Sequence, residues 1–93
     1  MDKKINLKLY VMGEAARAKR SIDQMEEIME SNFPGKYTLE VIDLMKRPQL
    51  AEDEKIMATP TVIKELPPPL RKIVGDLSDE HKVLVGLDLE TEN

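Results

Sequence analysis

A strand–helix–strand pattern fills the first half of the chain and limits the fold more than any other feature of the sequence. Apolar residues alternate along 5–11, which predicts a strand that ends at Gly13. Over 14–31 the apolar residues recur every three or four positions, which predicts a long amphipathic helix. A second strand is predicted over 37–43. Two strands joined by one helix are expected to be parallel, with a right-handed crossover.

The second half begins with a short predicted helix and a hairpin. The helix covers 49–55 and follows a proline whose missing N–H costs nothing in a first turn. Pro60 stands at the entrance of a strand over 61–66, where a proline is tolerated and a cis peptide bond can occur. The prolines at 67–69 form a stiff connection to another strand over 70–74. The two strands predict a hairpin.

The last segment carries two conflicting patterns. Ser78 is suited to cap a helix with its hydroxyl, and the acids at 79–80 suit a first turn. The alternation over 83–89 instead predicts a strand, and Gly86 would cost a helix interior about 1 kcal/mol. Three interpretations stay open: a short helix from Ser78 followed by a strand, a segment strained at a functional site, or a segment that can adopt two folds.

Size and charge limit the class of protein. The chain has 93 residues, which predicts a single domain over 1–93. Its 14 Lys and Arg against 18 Asp and Glu give a net charge of −4, which argues against a nucleic-acid partner. Arg17, Lys19 and Arg20 form a small basic cluster that is expected to be a solvated helix face. No segment approaches the ~20 apolar residues of a membrane span, so we expect a cytoplasmic protein without membrane contact.

The residue types that most enzymes need are scarce. There is no cysteine, which excludes disulfides and thiolate chemistry, and His81 is the one histidine. The four glycines are too scattered for a phosphate loop, and we expect no cofactor and no metal. Asp43 ends a strand but has no catalytic partner nearby in the sequence, and Tyr10 is expected to pack against the sheet.

The methionines divide by position. Met25 and Met29 fall on the apolar stripe of the predicted helix and are expected in the core. Met12, Met45 and Met57 fall outside it and could line an adaptable apolar groove for a partner.

The predicted element order, βαβαββα, is that of a thioredoxin-like domain, an α/β fold. In thioredoxins a Cys-x-x-Cys loop follows the first strand, and here residues 13–16 read Gly-Glu-Ala-Ala. The fold is therefore expected without its redox chemistry. A transferase of thioredoxin-like ancestry with Tyr10 in place of a cysteine is an alternative from another functional class.

Several motifs resemble the KaiB family, in the same order and without evident gaps from about residue 5 to 89. They are Leu7-Lys8-Leu9-Tyr10-Val11, Val41-Ile42-Asp43, Pro48-Gln49-Leu50-Ala51-Glu52, Ile56-Met57-Ala58-Thr59-Pro60-Thr61, Pro67-Pro68-Pro69, Gly75-Asp76-Leu77-Ser78 and Lys82-Val83-Leu84-Val85-Gly86-Leu87-Asp88-Leu89. The resemblance implies a circadian-clock component without enzymatic activity.

Proteins of this family are expected to alternate between a tetrameric βαββααβ fold and a monomeric, thioredoxin-like βαβαββα fold. The resemblance implies that 1–46 keeps its fold and that 47–93 refolds. It also implies partners: the KaiC-like hexameric ATPase ring, KaiA, and histidine kinases of the SasA and CikA types. The bound form would capture KaiA, favour KaiC dephosphorylation and compete with the SasA sensor domain. The alternative is a stress-response paralogue that works with a different KaiC-like partner or with none.

The resemblance also assigns residues. Gly86 and Asp88 match fold-switch positions that control the change of fold, and Pro60 matches a proline whose peptide geometry is expected to differ between the two folds. Lys8, Arg20 and Lys55 match basic positions for partner binding. Glu40 stands where clock members often carry a lysine.

The residues at 90–93 also depart from the family pattern, because family members usually continue there with an aromatic residue and an acidic tail. We therefore expect the thioredoxin-like monomer to be favoured, although a tetramer remains an alternative.

Overall fold

The computed structural model describes residues 4–89, and the expectation for 90–93 lies outside that range. Seven elements follow in the predicted βαβαββα order. They are β1 (Ile5–Val11), α1 (Ala16–Asn32), β2 (Tyr37–Asp43), α2 (Gln49–Asp53), β3 (Thr61–Leu66), β4 (Arg71–Val74) and α3 (Glu80–Gly86). The βαββααβ order is not the one in this structure. The predicted elements up to β4 are confirmed, with ends that differ by at most two residues.

The four strands form one mixed sheet in the order β2-β1-β3-β4. Strand β1 pairs with β2 in parallel, as the strand–helix–strand pattern predicts, and with β3 in antiparallel. The hairpin of β3 and β4 is also confirmed. The register between β1 and β3 shifts between Asn6 and Leu7, so Glu65 is an extra residue in the β3 strand.

The two faces of the sheet are covered unequally. Helices α1 and α3 pack on one face, where the main core includes Leu7, Leu9 and Val62 of the sheet. Met25 and Met29 are fully buried in this core, as predicted. On the other face the short α2 segment packs on a smaller cluster formed by Tyr10, Ile42, Leu44 and Ile63. The predicted burial of Tyr10 against the sheet is thereby confirmed.

The conflict over the last segment is resolved in favour of a helix, and the predicted strand over 83–89 is wrong for this structure. Helix α3 turns Val83 and Leu87 into the main core, where both side chains are buried. The alternation in this segment does not predict a strand here because the same apolar residues also lie on one helical face.

The prediction that Ser78 caps α3 is wrong. Asp79 is the cap, and its Oδ1 accepts a hydrogen bond of 3.1 Å from the backbone N–H of Lys82. Ser78 instead donates its hydroxyl to Asp76 Oδ2 at 2.9 Å, and its backbone N–H to Oδ1 of the same carboxylate at 2.9 Å. These hydrogen bonds from Ser78 lower the pKa of Asp76. The Ser78 hydroxyl is therefore engaged by Asp76, one residue before the cap of the helix.

This assignment of the cap can be tested by two alanine substitutions. We expect Asp79→Ala to reduce the free energy of unfolding by about 1 kcal/mol, because the Lys82 N–H loses its acceptor. Ser78→Ala should change it by less than about 0.5 kcal/mol, because it removes an exposed hydrogen bond outside the helix. Urea unfolding of both variants gives the comparison. A larger loss for Ser78→Ala would restore the serine as the cap.

Candidate functional site

A polar surface lies on the half of the sheet that α2 leaves uncovered. Directly paired residues point to the same side of a sheet, so the register aligns Glu40, Lys8 and Ile63 with Lys72 across all four strands. Ile63 belongs to the cluster under α2, which fixes the side on which this row lies. We call this surface the open face, and it consists of Asn6, Lys8, Thr38, Glu40, Glu65 and Lys72.

Short polar contacts connect neighbouring strands across the open face. Lys8 Nζ lies 3.1 Å from Glu65 Oε2, and these side chains are 29% and 40% exposed. Thr38 donates its hydroxyl to Asn6 Oδ1 at 2.9 Å. The hydrogen bond to Glu65 is the main cause of the raised pKa of Lys8, and nearby Glu40 adds to it. An ion pair this exposed is worth at most about 1 kcal/mol, so Lys8 can exchange Glu65 for a carboxylate of a partner at little cost.

The residues predicted for partner binding do not form a single site. Lys8 and Glu40 are register partners on the open face. Lys55 is exposed on the same side of the sheet, in the segment whose next residue, Ile56, packs on the cluster under α2. Arg20 is exposed on α1, which covers the opposite face. The sequence-predicted set is therefore divided between the two faces of the molecule.

Arg20 and Pro60 meet in a cleft between α1 and the start of β3. A cavity of about 320 Å³ is lined by both residues together with Arg17, Asp76 and Leu77. A second cavity of about 250 Å³ adjoins it through shared lining residues and is apolar, with Met12 and Ala15 in its wall. Pro60 itself is buried, and the Thr59–Pro60 peptide bond is cis. The cleft therefore combines an apolar half with a half that carries two arginines and one aspartate.

The two fold-switch candidates near the end of the described chain share the C-terminal turn of α3. The N–H of Asp88 donates to the Val85 carbonyl at 3.0 Å, and that of Leu89 to the Leu84 carbonyl at 2.9 Å. This pair of hydrogen bonds is a Schellman motif, and Asp88 occupies its left-handed position with φ +56. Aspartate tolerates that conformation better than most residues, although glycine is preferred there.

Gly86 is required for close packing rather than for an unusual backbone angle. A Cβ atom at this position would lie 2.8 Å from Cδ1 and 3.0 Å from Cγ1 of Ile73 on β4. Carbon atoms at these distances repel each other, so Ile73 would have to move. Glycine therefore lets α3 approach the edge strand.

Asp43 has a structural role that its isolated position in the sequence did not reveal. Its Oδ1 accepts hydrogen bonds from the backbone N–H of Gly13 at 2.8 Å and of Met45 at 2.9 Å. These bonds, that of Gly13 first, lower the pKa of the carboxyl. The carboxylate thereby fixes the turn at 13–16, where thioredoxins carry their cysteines.

The remaining candidates are placed as follows. Met12, Met45 and Met57 are exposed near the end of the sheet where β1 and β2 end and β3 begins, and Met57 is 96% exposed. Tyr10, the residue of the transferase alternative, is only 1% exposed. Within residues 4–89, no three His, Cys, Asp or Glu side chains come together as metal ligands. No helix in that range is long and apolar enough to cross a membrane.

Comparison with known proteins extends the resemblance seen in the sequence. Residues 8–89 match the KaiB domain family. The chain belongs to the KaiB family. It is 58% identical over 83 residues to the circadian clock oscillator protein KaiB of Prochlorococcus marinus subsp. pastoris. This alignment covers 89% of this chain and 78% of that protein. It is 59% identical over 83 residues to the same protein of Trichodesmium erythraeum, with coverage of 89% and 80%.

Solved structures confirm the thioredoxin-like fold. The N-terminal domain of Synechococcus elongatus SasA superposes with a TM-score of 0.76 at 22% identity, covering 91% of this chain and 82% of that one. Mitochondrial thioredoxin 3 of Saccharomyces cerevisiae gives a TM-score of 0.70 at 15% identity, with coverage of 92% and 78%. The KaiB family member thus has the chain fold of a SasA domain and of thioredoxins.

The contact between Gly86 and Ile73 predicts non-additive stability. Replacing an exposed helical glycine by alanine gains up to about 1 kcal/mol, but here the new Cβ meets the Ile73 side chain. We expect Gly86→Ala to stabilise the protein more in an Ile73→Val background, which lacks Cδ1, than in the wild type. A double-mutant cycle by urea unfolding should give a coupling of about 0.5 kcal/mol or more. Equal effects in both backgrounds would contradict the contact.

The hydrogen bonds to Asp43 predict an acid-sensitive component of stability. Its folded-state pKa is lowered, so this stabilisation is present above the unfolded pKa of the carboxyl and is lost as the pH falls through the folded pKa. We expect Asp43→Asn to show a smaller loss of stability than the wild type between neutral and strongly acidic pH. Asp23→Asn on the exposed side of α1 is the control. An unchanged pH profile for Asp43→Asn would refute this role.

Proposed function

We propose that this KaiB family member is a non-enzymatic, cytoplasmic clock component that binds a KaiC-like ATPase ring. The observation that carries the proposal is the match to the KaiB family over residues 8–89. Its closely related proteins are named circadian clock oscillator proteins. The turn at 13–16 has no cysteine, so the thioredoxin-like fold serves recognition instead of redox chemistry.

The shared fold supports the proposed competition with a SasA-type kinase. The SasA N-terminal domain has the same chain fold, and two domains of one fold can occupy the same place on a ring. In the proposed cycle, the ring-bound chain displaces that sensor domain, captures KaiA and favours KaiC dephosphorylation. A CikA-type kinase would engage the bound form afterwards.

Two charged surfaces support partner binding. Lys8 lies on the open face, Lys55 is exposed on the same side of the sheet, and Arg20 lines the cleft next to Pro60 on the other side. Since they lie on opposite faces, we propose that they contact different partners or different parts of one ring. Glu40 adds a negative charge beside Lys8, which changes the charge pattern that a partner meets.

The binding proposal can be tested with matched charge variants. A KaiC-type hexamer should shift the chain in size-exclusion chromatography at micromolar concentration, also with a phosphomimetic hexamer. Lys8→Ala and Arg20→Ala should each weaken binding about 3- to 10-fold, because each removes a rim charge. Lys19→Ala, an exposed neighbour of Arg20, is the control and should stay within about 2-fold.

Absence of any complex would overturn the proposal. Displacement by an excess of the SasA N-terminal domain would support a shared place on the ring, and simultaneous binding of both proteins would contradict it.

Refolding of 47–93 is part of the proposal. Pro60, Gly86 and Asp88 all lie in that half, while 1–46 keeps the strand–helix–strand unit. We expect the thioredoxin-like monomer to predominate in solution. Light scattering should give the mass of one chain, and NMR should find helical contacts over 80–86. A tetramer with 83–89 in a strand ladder would contradict this expectation.

A second candidate is a paralogue with a different KaiC-like partner, in a stress response. Glu40 favours it, because it replaces the lysine expected of clock members on the open face. Restoring Glu40→Lys distinguishes the two functions. If this substitution tightens binding to a clock-type KaiC and abolishes binding to the different KaiC-like partner, the result would support the function as a paralogue.

A further inference from the structure

Lys64 on β3 is a charged side chain in an unusual position. It is only 1% exposed and is the one charged residue among the buried side chains of residues 4–89. Strand periodicity places it on the same side of the sheet as Val62, which belongs to the main core under α1 and α3. A buried ammonium needs a compensating group, because desolvation of a charge is costly.

That compensating group lies at the end of α3. Lys64 Nζ is 3.5 Å from the backbone carbonyl oxygen of Asp88. The contact is long for a hydrogen bond, so its strength comes mainly from charge. Carbonyl groups at the C-terminus of a helix carry a partial negative charge that favours a nearby cation. The Lys64 ammonium therefore faces the C-terminal end of α3, whose partial negative charge attracts it.

The turn that presents this carbonyl has little other electrostatic support. Asp88 is exposed and its carboxylate adds a full negative charge to the negative end of the helix. It also holds a left-handed backbone conformation that is unfavourable for a residue with a side chain. The apolar residues Leu87 and Leu89 are buried on either side of it. The ammonium thus stabilises the part of α3 where the backbone and the local charges are least favourable.

We infer that Lys64 is an electrostatic latch that holds the C-terminal turn of α3 on the sheet. With the helix in place, the ammonium and the Asp88 carbonyl compensate each other away from water. When the turn lifts, both groups become solvated together, so opening is local and does not require β1 to lose its partners. A neutral side chain at position 64 leaves the turn without this cation. This role belongs to the thioredoxin-like structure itself and holds whichever partner the chain binds.

Amide hydrogen exchange followed by NMR tests the latch. The amides of Leu87, Asp88 and Leu89 donate the hydrogen bonds of the C-terminal turn and report on its opening. In Lys64→Met we expect them to exchange at least about tenfold faster, while β1 amides stay within about 2-fold of the wild type. Lys64→Arg keeps the positive charge and should stay within about 3-fold at the turn. Lys72→Met removes an exposed lysine from the neighbouring strand and is the matched control, with no change expected at 87–89.

Each other outcome overturns the inference. Equal acceleration at the turn and in β1 would mean that Lys64 supports the whole fold, and no acceleration would mean that the ammonium does not hold the turn. If Lys64→Met does not fold, acylation of the wild-type protein decides. The Lys64 amine should then react at the rate at which the 87–89 amides open, far more slowly than Lys72. Reaction at the slower rate of β1 opening, or as fast as Lys72, would refute the latch.

Discussion

Strand β1 lies inside the sheet and hydrogen-bonds to a parallel strand on one side and an antiparallel strand on the other. Its side chains alternate between the two faces of the sheet and pack into the layer on each face. Leu7 and Leu9 enter the core under the long helix, and Tyr10 enters the cluster under α2. The other strands and α3 are placed relative to this strand: β2 by the crossover helix, β3 by antiparallel pairing, and β4 and α3 through β3. The pairing of β1 with β2 lies within the first half of the chain, whereas its pairing with β3 joins the two halves.

The unequal cover of the sheet explains why this fold offers surfaces for recognition. Helix α2 has five residues and buries none of them fully, so charged side chains on the remaining part of that face stay partly exposed to solvent. The ion pair of Lys8 with Glu65 is partly exposed on this face, while the cleft at Pro60 lies on the other side. Where thioredoxins carry their cysteines this chain reads Gly-Glu-Ala-Ala, and the Asp43 carboxylate accepts a hydrogen bond from the Gly13 N–H at the start of that turn.

The sequence predicted the element order because local periodicity and tertiary burial agree for β1, α1 and β2. It did not separate helix from strand over 83–89, since Val83 and Leu87 satisfy both periods and only contact with the sheet selects one. The predicted cap at Ser78 is wrong because competing hydrogen bonds use this residue: its hydroxyl and its backbone N–H both donate to the Asp76 carboxylate. The open face could not be assembled from the sequence because Glu65 and Lys72 share a face with Lys8 only through strand register, which includes a register shift that no local motif indicates.

The division of the methionines gives this protein two sets of spectroscopic probes. Met25 and Met29 are fully buried between α1 and the sheet, whereas Met12, Met45 and Met57 are exposed near one end of it. Methyl signals of the buried pair report on the integrity of the half that is expected to keep its fold. Signals of the exposed three respond to whatever approaches the end of the sheet beside Pro60. With isotope labelling of one residue type, contact by a partner and rearrangement of the chain can be read separately in the same spectrum.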